Sequence, residues 1–566
     1  MQPIPNEEQR PTPPNQIEHP MDGNELIAKI LKREGVEWIA CFPSNPLIEA
    51  VAKEGIRPIA FRHERGAVMA ADGFSRTSDR QRFGVVAVQN QAGAENALGG
   101  IAQAAADNIP ILFLPGGVPL NWLDVRPNYS VKEQYRGLVK HVETIYRPDQ
   151  VTTVMRRAFA GLRNGTPGPM VVELASDVCA SDTPNTLEDY RSPRPALQSP
   201  TAGDIKDAAT ELLKANKPLI WAGGGVLFSQ ATEELRELAE LVVAPVFTTM
   251  QGKSAIDERH PLALGAGSGA TTGPAHEWLQ SCDLVLALGS SLTRTGYAQD
   301  IPKQAFLIQN TNNPDEIGKD EAVDIGLPGD TRLTVQSLID EVKSQLGDAP
   351  RDSSAVAAEI ASIRANWMKE WEPLLMTNEE PLGTYRVIQE INEALDLENS
   401  IVTHDAGAPR DSIIPFFNAT TPHSYIGWGK TTHLGFGIPL MIGAKLANPD
   451  KFCLNLMGDG AFGMSGTDIE TASRSGVAIT TVLLNNGGMA TYPGGFPTAR
   501  EQYGVSHMQG NYAMIAEGMG AVGITAKTPA EFRAALEEAQ RLNSNGETVL
   551  IDVHSNMEGR RSRWDH

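Results

Sequence analysis

"KFCLNLMGDGAFGMSGTDIETASRSGVAITTVLLNNGG", residues 451–488, holds the reading on which the fold depends. The apolar run ending at Met457 reads as a strand, Gly458-Asp459-Gly460 as a tight turn, and Thr467 to Arg474 as a helix. A second apolar, β-branched run then delivers Asn485-Asn486-Gly487-Gly488. In a right-handed βαβ unit the carboxyl ends of two parallel strands share one sheet edge, where ligands of open α/β folds bind. Asp459 and Asn486 are therefore expected to converge there. One carboxylate, one amide oxygen and a backbone carbonyl just beyond form a hard-oxygen set suited to magnesium, which completes its shell with phosphate oxygens and water. Glycines at 458 and 460 leave room for a diphosphate to approach the main chain. The bland alternative is an aspartate that only caps a turn.

The same alternation runs outward in both directions. From "NELIAKILKREGV" (24–36), helical-period stretches alternate with short strands such as "RPIAF", "FGVVAV" and "IPILFLPGG". The middle of the chain opens with helical "IKDAATELLKANK" and runs through "PLIWA" into Gly223-Gly224-Gly225, a Rossmann-like start without the full spaced glycine fingerprint. A nucleotide site and a plain glycine turn are both open there. Pro- and Ser-rich 179–204 and 346–359 read as joints. The expected plan is α/β, with three doubly wound parallel-sheet domains. A disordered arm covers 1–21, and the domains span 22–190, 200–345 and 360–566.

A formal net charge of −21 over 566 residues argues against a phosphate-backbone partner, so no nucleic-acid role is expected. Cys41, Cys179, Cys282 and Cys453 lie far apart, suggesting neither a disulfide framework nor a zinc site and fitting a reducing cytoplasm. The first twenty residues lack the apolar core of a signal peptide, and Pro and Gly interrupt every apolar run short of membrane-spanning length. No membrane association is expected.

The spacing from Asp459 to Asn486 resembles the thiamine-diphosphate signature of enzymes acting on 2-oxo acids. The likeness extends along nearly the whole chain and is closest to acetolactate synthase large subunits. The resemblance implies Asp459, Asn486 and the carbonyl of Gly488 as magnesium ligands, with Gly458, Gly460, Ala461 and Met489 beside thiamine diphosphate. "HLGFGIPLMIGAKLA" resembles the segment that places Leu434 as the apolar support of the bent cofactor. "FRHERGAVMAADGFSR" (61–76) is similar to the family's "RHEQGA…EGYAR", which gives Glu64 the hydrogen bond to the aminopyrimidine that drives its imino form. Alone, Glu64 would read as a solvated helix-start glutamate. His63 beside it is the one histidine with a positional argument for proton transfer; His141, His404, His423 and His433 read as structural or surface residues.

"VAVQNQAGAEN" resembles the family's next segment, commonly "TSGPGATN". Gly93 and Asn96 match and are implied to border the cofactor, whereas Gln89, Asn90, Gln91 and Glu95 depart, which leaves substrates other than pyruvate open. The implied reaction adds the cofactor ylide to a 2-oxo acid, releases carbon dioxide and passes the remaining carbanion equivalent to a proton or a second carbonyl. The family supplies Glu64 and the diphosphate motif from different subunits, which implies a homodimer or homotetramer with its site at the seam. "LIQNTNNPDEIG" carries Thr311 and Asn313 where the family has the two aspartates that help seat flavin, so FAD is doubtful. Alternatives are a 2-oxo-acid decarboxylase, an aldehyde carboligase, a 2-hydroxyacyl-CoA lyase or oxalyl-CoA decarboxylase-like enzyme, and a non-catalytic cofactor-binding partner. The tail "NMEGRRSRWDH" reads as solvated and mobile, or as a lid over an anionic substrate.

Overall fold

The computed structural model describes residues 21–78, 82–346, 351–489 and 495–564. The expected disordered arm falls almost wholly outside them. Eighteen named strands form three six-stranded sheets in which every pairing is parallel. Burial on both faces explains why the strands read as continuous apolar runs rather than alternating ones.

The first sheet holds β1 (Trp38–Cys41), β2 (Arg57–Ala60), β3 (Gly84–Val88), β4 (Ile111–Gly117), β5 (His141–Ile145) and β6 (Met170–Ala175), in the order 2-1-3-4-6-5. The second holds β7 (Pro218–Ala222), β8 (Val246–Thr249), β9 (Ala263–Gly267), β10 (Leu284–Leu288), β11 (Phe306–Thr311) and β12 (Ile325–Pro328). Its order, 9-8-7-10-11-12, is the Rossmann arrangement. The third holds β13 (Ser400–His404), β14 (Tyr425–Ile426), β15 (Phe452–Gly458), β16 (Thr480–Asn485), β17 (Val522–Ala526) and β18 (Val549–His554), ordered 14-13-15-16-18-17. That repeats the first sheet's order, and its switch point lies between β13 and β15, beside Asp459.

Two boundaries differ from the sequence reading. Part of the expected joint at 346–359 belongs to a helix, Ser354–Leu375, because Ile360, Trp367, Trp371 and Leu375 form a buried stripe along it. The expected helix at Thr467–Arg474 is observed as Asp468–Ser475, and a further helix, Asp459–Ser465, starts directly on the glycine turn.

The first and third domains share a core. The helix Glu64–Thr77 crosses the helix Gly437–Ala447 at a contact only glycine permits. A Cβ at Gly443 would lie 1.8 Å from the Ala70 carbonyl oxygen, and one at Gly73 2.0 Å from that of Leu440. We expect Gly443→Ala to force the helices apart at a cost of about 1–3 kcal/mol or more, read as a lower melting temperature and faster proteolysis between the domains. All three domains also meet at one buried ionic knot. Arg76 donates to Asp72, to Asp107 (2.8 Å) and to the Gly427 carbonyl. Asp107 also accepts from Gln251 of the middle domain (2.6 Å) and from the Gly429 amide (3.3 Å).

Candidate active site

β15 carries the chain to Gly458, and Asp459 opens the following helix as a buried carboxylate. Its Oδ1 accepts from the Gly460 amide (2.8 Å) and its Oδ2 from the Gly487 amide (3.0 Å), so the two strand ends predicted to converge are tied by a hydrogen bond. Asn486 Oδ1 accepts from the Gly488 amide (3.0 Å), which leaves that oxygen a second lone pair. The loop is held from behind by Met508 N to Gly487 O and Met489 N to Ser506 O, each 2.9 Å. Above the turn there is space: a Cβ at Gly458 would meet nothing within 4 Å, and one at Gly460 would meet only Met489 Cβ, at 3.2 Å. Ala461 is buried in the same turn. Burial pushes the Asp459 carboxyl above its usual range, against the pull of the two amides, so a cation beside it would relieve the desolvation. Among the described residues no group of three or more His, Cys, Asp or Glu gathers as a metal site. The set here, one carboxylate with neutral oxygens over open space, fits a magnesium ion that a diphosphate helps to hold.

Leu434 lies 38% exposed in the loop before the helix Gly437–Ala447. That loop is fixed by Asp405, a residue the sequence reading passed over. Asp405 follows β13 at the switch point, is fully buried, and accepts from the amides of Ala406 (2.8 Å), Gly435 (3.0 Å) and Gly437 (2.9 Å), clamping the backbone on both sides of Phe436. An aspartate directly after a buried strand was the available signal; its partners lie some thirty residues on. Burial pushes the carboxyls of Asp405 and Asp468 up to about 6. A carboxyl that holds its proton more tightly folded than unfolded adds stability below its unfolded pKa and loses it as pH rises through the folded one. Between pH 7.5 and pH 5.5 each of these carboxyls therefore adds roughly 1 kcal/mol of stability, while His404, protonated only on unfolding, acts in the opposite direction; Asp405→Asn, which cannot titrate, is expected to remove its share from the pH dependence of the melting temperature.

Glu64 opens its helix with 2% exposure. Asn96 Nδ2 donates to its Oε2 (3.1 Å), and its Oε1 lies 3.5 Å from where a Cβ on Gly93 would be. His63 caps the helix, its Nδ1 accepting from the Arg65 amide (3.1 Å) while standing 3.9 Å from Glu64 Oε2. That lone pair is engaged, which gives His63 a structural task. The start of the Glu64 helix is docked, within the same chain, on the helices that follow Asp459. The Arg62 amide donates to Asp468 Oδ1 (3.2 Å) and the Arg65 guanidinium to the Met464 carbonyl (2.7 Å).

The segment that departs from the family pattern also gathers here. Gln91, with a positive φ of 50°, caps the helix Ala92–Ala106 and donates to Asn128 Oδ1 (2.9 Å). This brings Asn128 beside the first turns of the helix carrying Gly93 and Asn96. Fully buried His404 stacks on Trp428, and burial pushes its pKa down to about 3, so it stays neutral.

In the middle domain a cavity of about 490 Å³ opens at the switch point between β7 and β10, lined among others by Gly223, Gly224, Gly225, Gly289, Tyr297 and Lys430. Thr311 donates to Glu316 (2.8 Å), and Asn313 caps a short turn by accepting from the Asp315 amide. Neither supplies the acidic acceptor that the flavin-containing pattern places at these positions. The tail corrects the expectation of a mobile end. Met557 packs against Gly488, the Arg560 carbonyl accepts from Tyr385 (2.6 Å), Ser562 donates to the Thr271 carbonyl (2.6 Å), and Trp564 stacks on His276 at 4.3 Å. It is a strap from the Gly488 loop to the middle domain.

A carboxylate and an asparagine loop are joined at an α/β switch point, with a buried glutamate's helix docked beside them in the same chain. The family described as "Thiamine pyrophosphate enzyme" matches in three parts: the N-terminal TPP binding domain at residues 21–142, the central domain at 205–338 and the C-terminal TPP binding domain at 405–553. The chain is 30% identical to the probable acetolactate synthase large subunit of Methanocaldococcus jannaschii, covering 94% of this chain and 92% of that one. It is 28% identical to the acetolactate synthase large subunit of Lactococcus lactis (95% and 93%) and 27% identical to the isozyme 3 large subunit of Escherichia coli (94% and 94%). The chain belongs to the thiamine pyrophosphate enzyme family, as an acetolactate synthase-like, thiamine-diphosphate-dependent enzyme.

Proposed function

We propose that this enzyme cleaves and forms carbon–carbon bonds next to the carbonyl of a 2-oxo acid, with a second carbonyl compound as acceptor. The observation that carries the reading is the Asp459–Gly487 hydrogen bond, which joins the two motifs at one sheet edge beneath open space. Asp459, Asn486 and the Gly488 carbonyl hold Mg2+, while Gly458, Gly460, Ala461 and Met489 border the diphosphate. Leu434, backed by the Asp405 clamp, supports the cofactor's bend; Glu64, with Gly93 and Asn96 beside it, faces the pyrimidine. When bound, thiamine diphosphate supplies the carbanion and the electron sink; the protein orients it and controls water and protons.

The working form is a homodimer or homotetramer, with the site at the seam. This is supported by large apolar side chains exposed around it: Leu434, Met464, Met489, Phe496 and Met557. The domain limits 22–190, 200–345 and 360–566 are supported by one six-stranded sheet in each, with the helix Ser354–Leu375 straddling the last limit. Flavin takes no part in the proposed reaction. A cytoplasmic location is supported by the buried, widely spaced free cysteines.

The carboxamide pair Gln91–Asn128 favours an acceptor or donor more polar than pyruvate, as a decarboxylase, aldehyde carboligase or acyl-CoA lyase would use. Incubating the Mg2+- and cofactor-loaded protein with a panel of 2-oxo acids, and identifying products by mass spectrometry, separates these readings. Acetolactate from pyruvate supports the synthase. Turnover of other 2-oxo acids without acetolactate supports the second reading, and no turnover of any supports a non-catalytic partner.

A further inference from the structure

Glu64 has two carboxylate oxygens in different surroundings. Oε2 accepts from Asn96 Nδ2 at 3.1 Å, the one side-chain hydrogen bond that reaches this carboxylate among the described residues. Oε1 faces the bare Cα of Gly93. The other nearby polar groups are engaged elsewhere: His63 Nδ1 takes the Arg65 amide, and the Arg65 guanidinium donates to the Met464 carbonyl.

The placement of Asn96 follows from helix packing. Gly93, Asn96 and Gly100 stand at i, i+3 and i+7 of the helix Ala92–Ala106 and so share one face. That face lies on the helix Glu64–Thr77. A Cβ at Gly100 would come 2.9 Å from Val68 Cβ, and the Tyr135 hydroxyl pins the same helix by donating to the Ala94 carbonyl (2.6 Å). Two glycines thus bring the helices close, and the one residue between them on that face that carries a donor meets the carboxylate.

We propose that Asn96 is a positioning residue for Glu64: it holds Oε2, stops the carboxylate from rotating, and leaves Oε1 as the oxygen presented to the cofactor's pyrimidine in the gap beside Gly93. This rests on the reading that Glu64 acts on that ring. A carboxylate without this restraint samples several orientations, of which few are productive.

The test uses full-length protein loaded with thiamine diphosphate and Mg2+. Three quantities are read: cofactor affinity by calorimetry, the near-ultraviolet circular dichroism of the bound pyrimidine, and proton–deuterium exchange at the cofactor's reactive carbon by NMR. Asn96→Ala and the near-isosteric Asn96→Leu, which removes the donor without adding charge, are expected to slow exchange about ten- to a hundredfold and to change the dichroism, with affinity held within about threefold. Asn96→Gln, which keeps a donor, is expected to recover most of the exchange rate. A merely structural role would lower stability and affinity without tracking the donor. Exchange within about twofold of the native rate in both Asn96→Ala and Asn96→Leu, alongside loss of exchange in Glu64→Gln, overturns the Asn96 role alone. Undiminished exchange in Glu64→Gln overturns the Glu64 reading itself. Should Asn96→Ala fail to fold, Asn96→Leu and Asn96→Gln decide the matter between them.

Discussion

Asp459→Asn is expected to weaken magnesium-dependent binding of thiamine diphosphate by two to three orders of magnitude, with the fold intact. Asparagine keeps the side-chain shape and one oxygen that can accept from the Gly487 amide, so the tie between the two strand ends survives. What disappears is the negative charge. In the proposed set the other ligands are neutral oxygens, so that charge is the largest part of the ligands' pull on the cation. Removing one partner of a buried charge pair costs roughly 3–5 kcal/mol, and each 1.4 kcal/mol is about tenfold in affinity. Calorimetric titration with and without Mg2+ measures the effect. Native-like affinity in the variant would remove Asp459 from the metal site and take the diphosphate assignment with it.

The second large effect is expected at the other ring. Glu64→Gln should bind the cofactor nearly as well as the native protein but lose about two to four orders of magnitude in turnover, the range for a positioned acid–base group. Glutamine retains an oxygen for Asn96 Nδ2, so local packing is preserved and the missing property is the ability to share a proton. A fall in kcat with little change in cofactor affinity is the signature to look for. Full turnover would leave the buried carboxylate without a role in the chemistry.

Much of the plan was legible in one dimension because it is local. A strand, a Gly-Asp-Gly turn, a helix and a second strand follow one another within 451–488, and the parallel βαβ rule then places Asp459 and Asn486 at one edge without further information. Glu64 was singled out by resemblance alone, from the segment 61–76 around it, and the structure adds that it is buried. The tail was misread because charged residues at a chain end look solvated in sequence, while Trp564 and Ser562 find partners in the middle domain, at His276 and Thr271.

The amino-acid order by itself determined three parallel α/β sheets and which motif lies at which strand end, since hydrophobic periodicity and turn chemistry act over a few residues. Only the tertiary structure decided that Asp405 clamps the Leu434 loop, that Asn96 holds one oxygen of Glu64, and that Asp107 knots three domains around Arg76. Each of these unites groups dozens to hundreds of positions apart. Such a buried polar group is satisfied by whatever packing brings to it, and no local pattern encodes that partner.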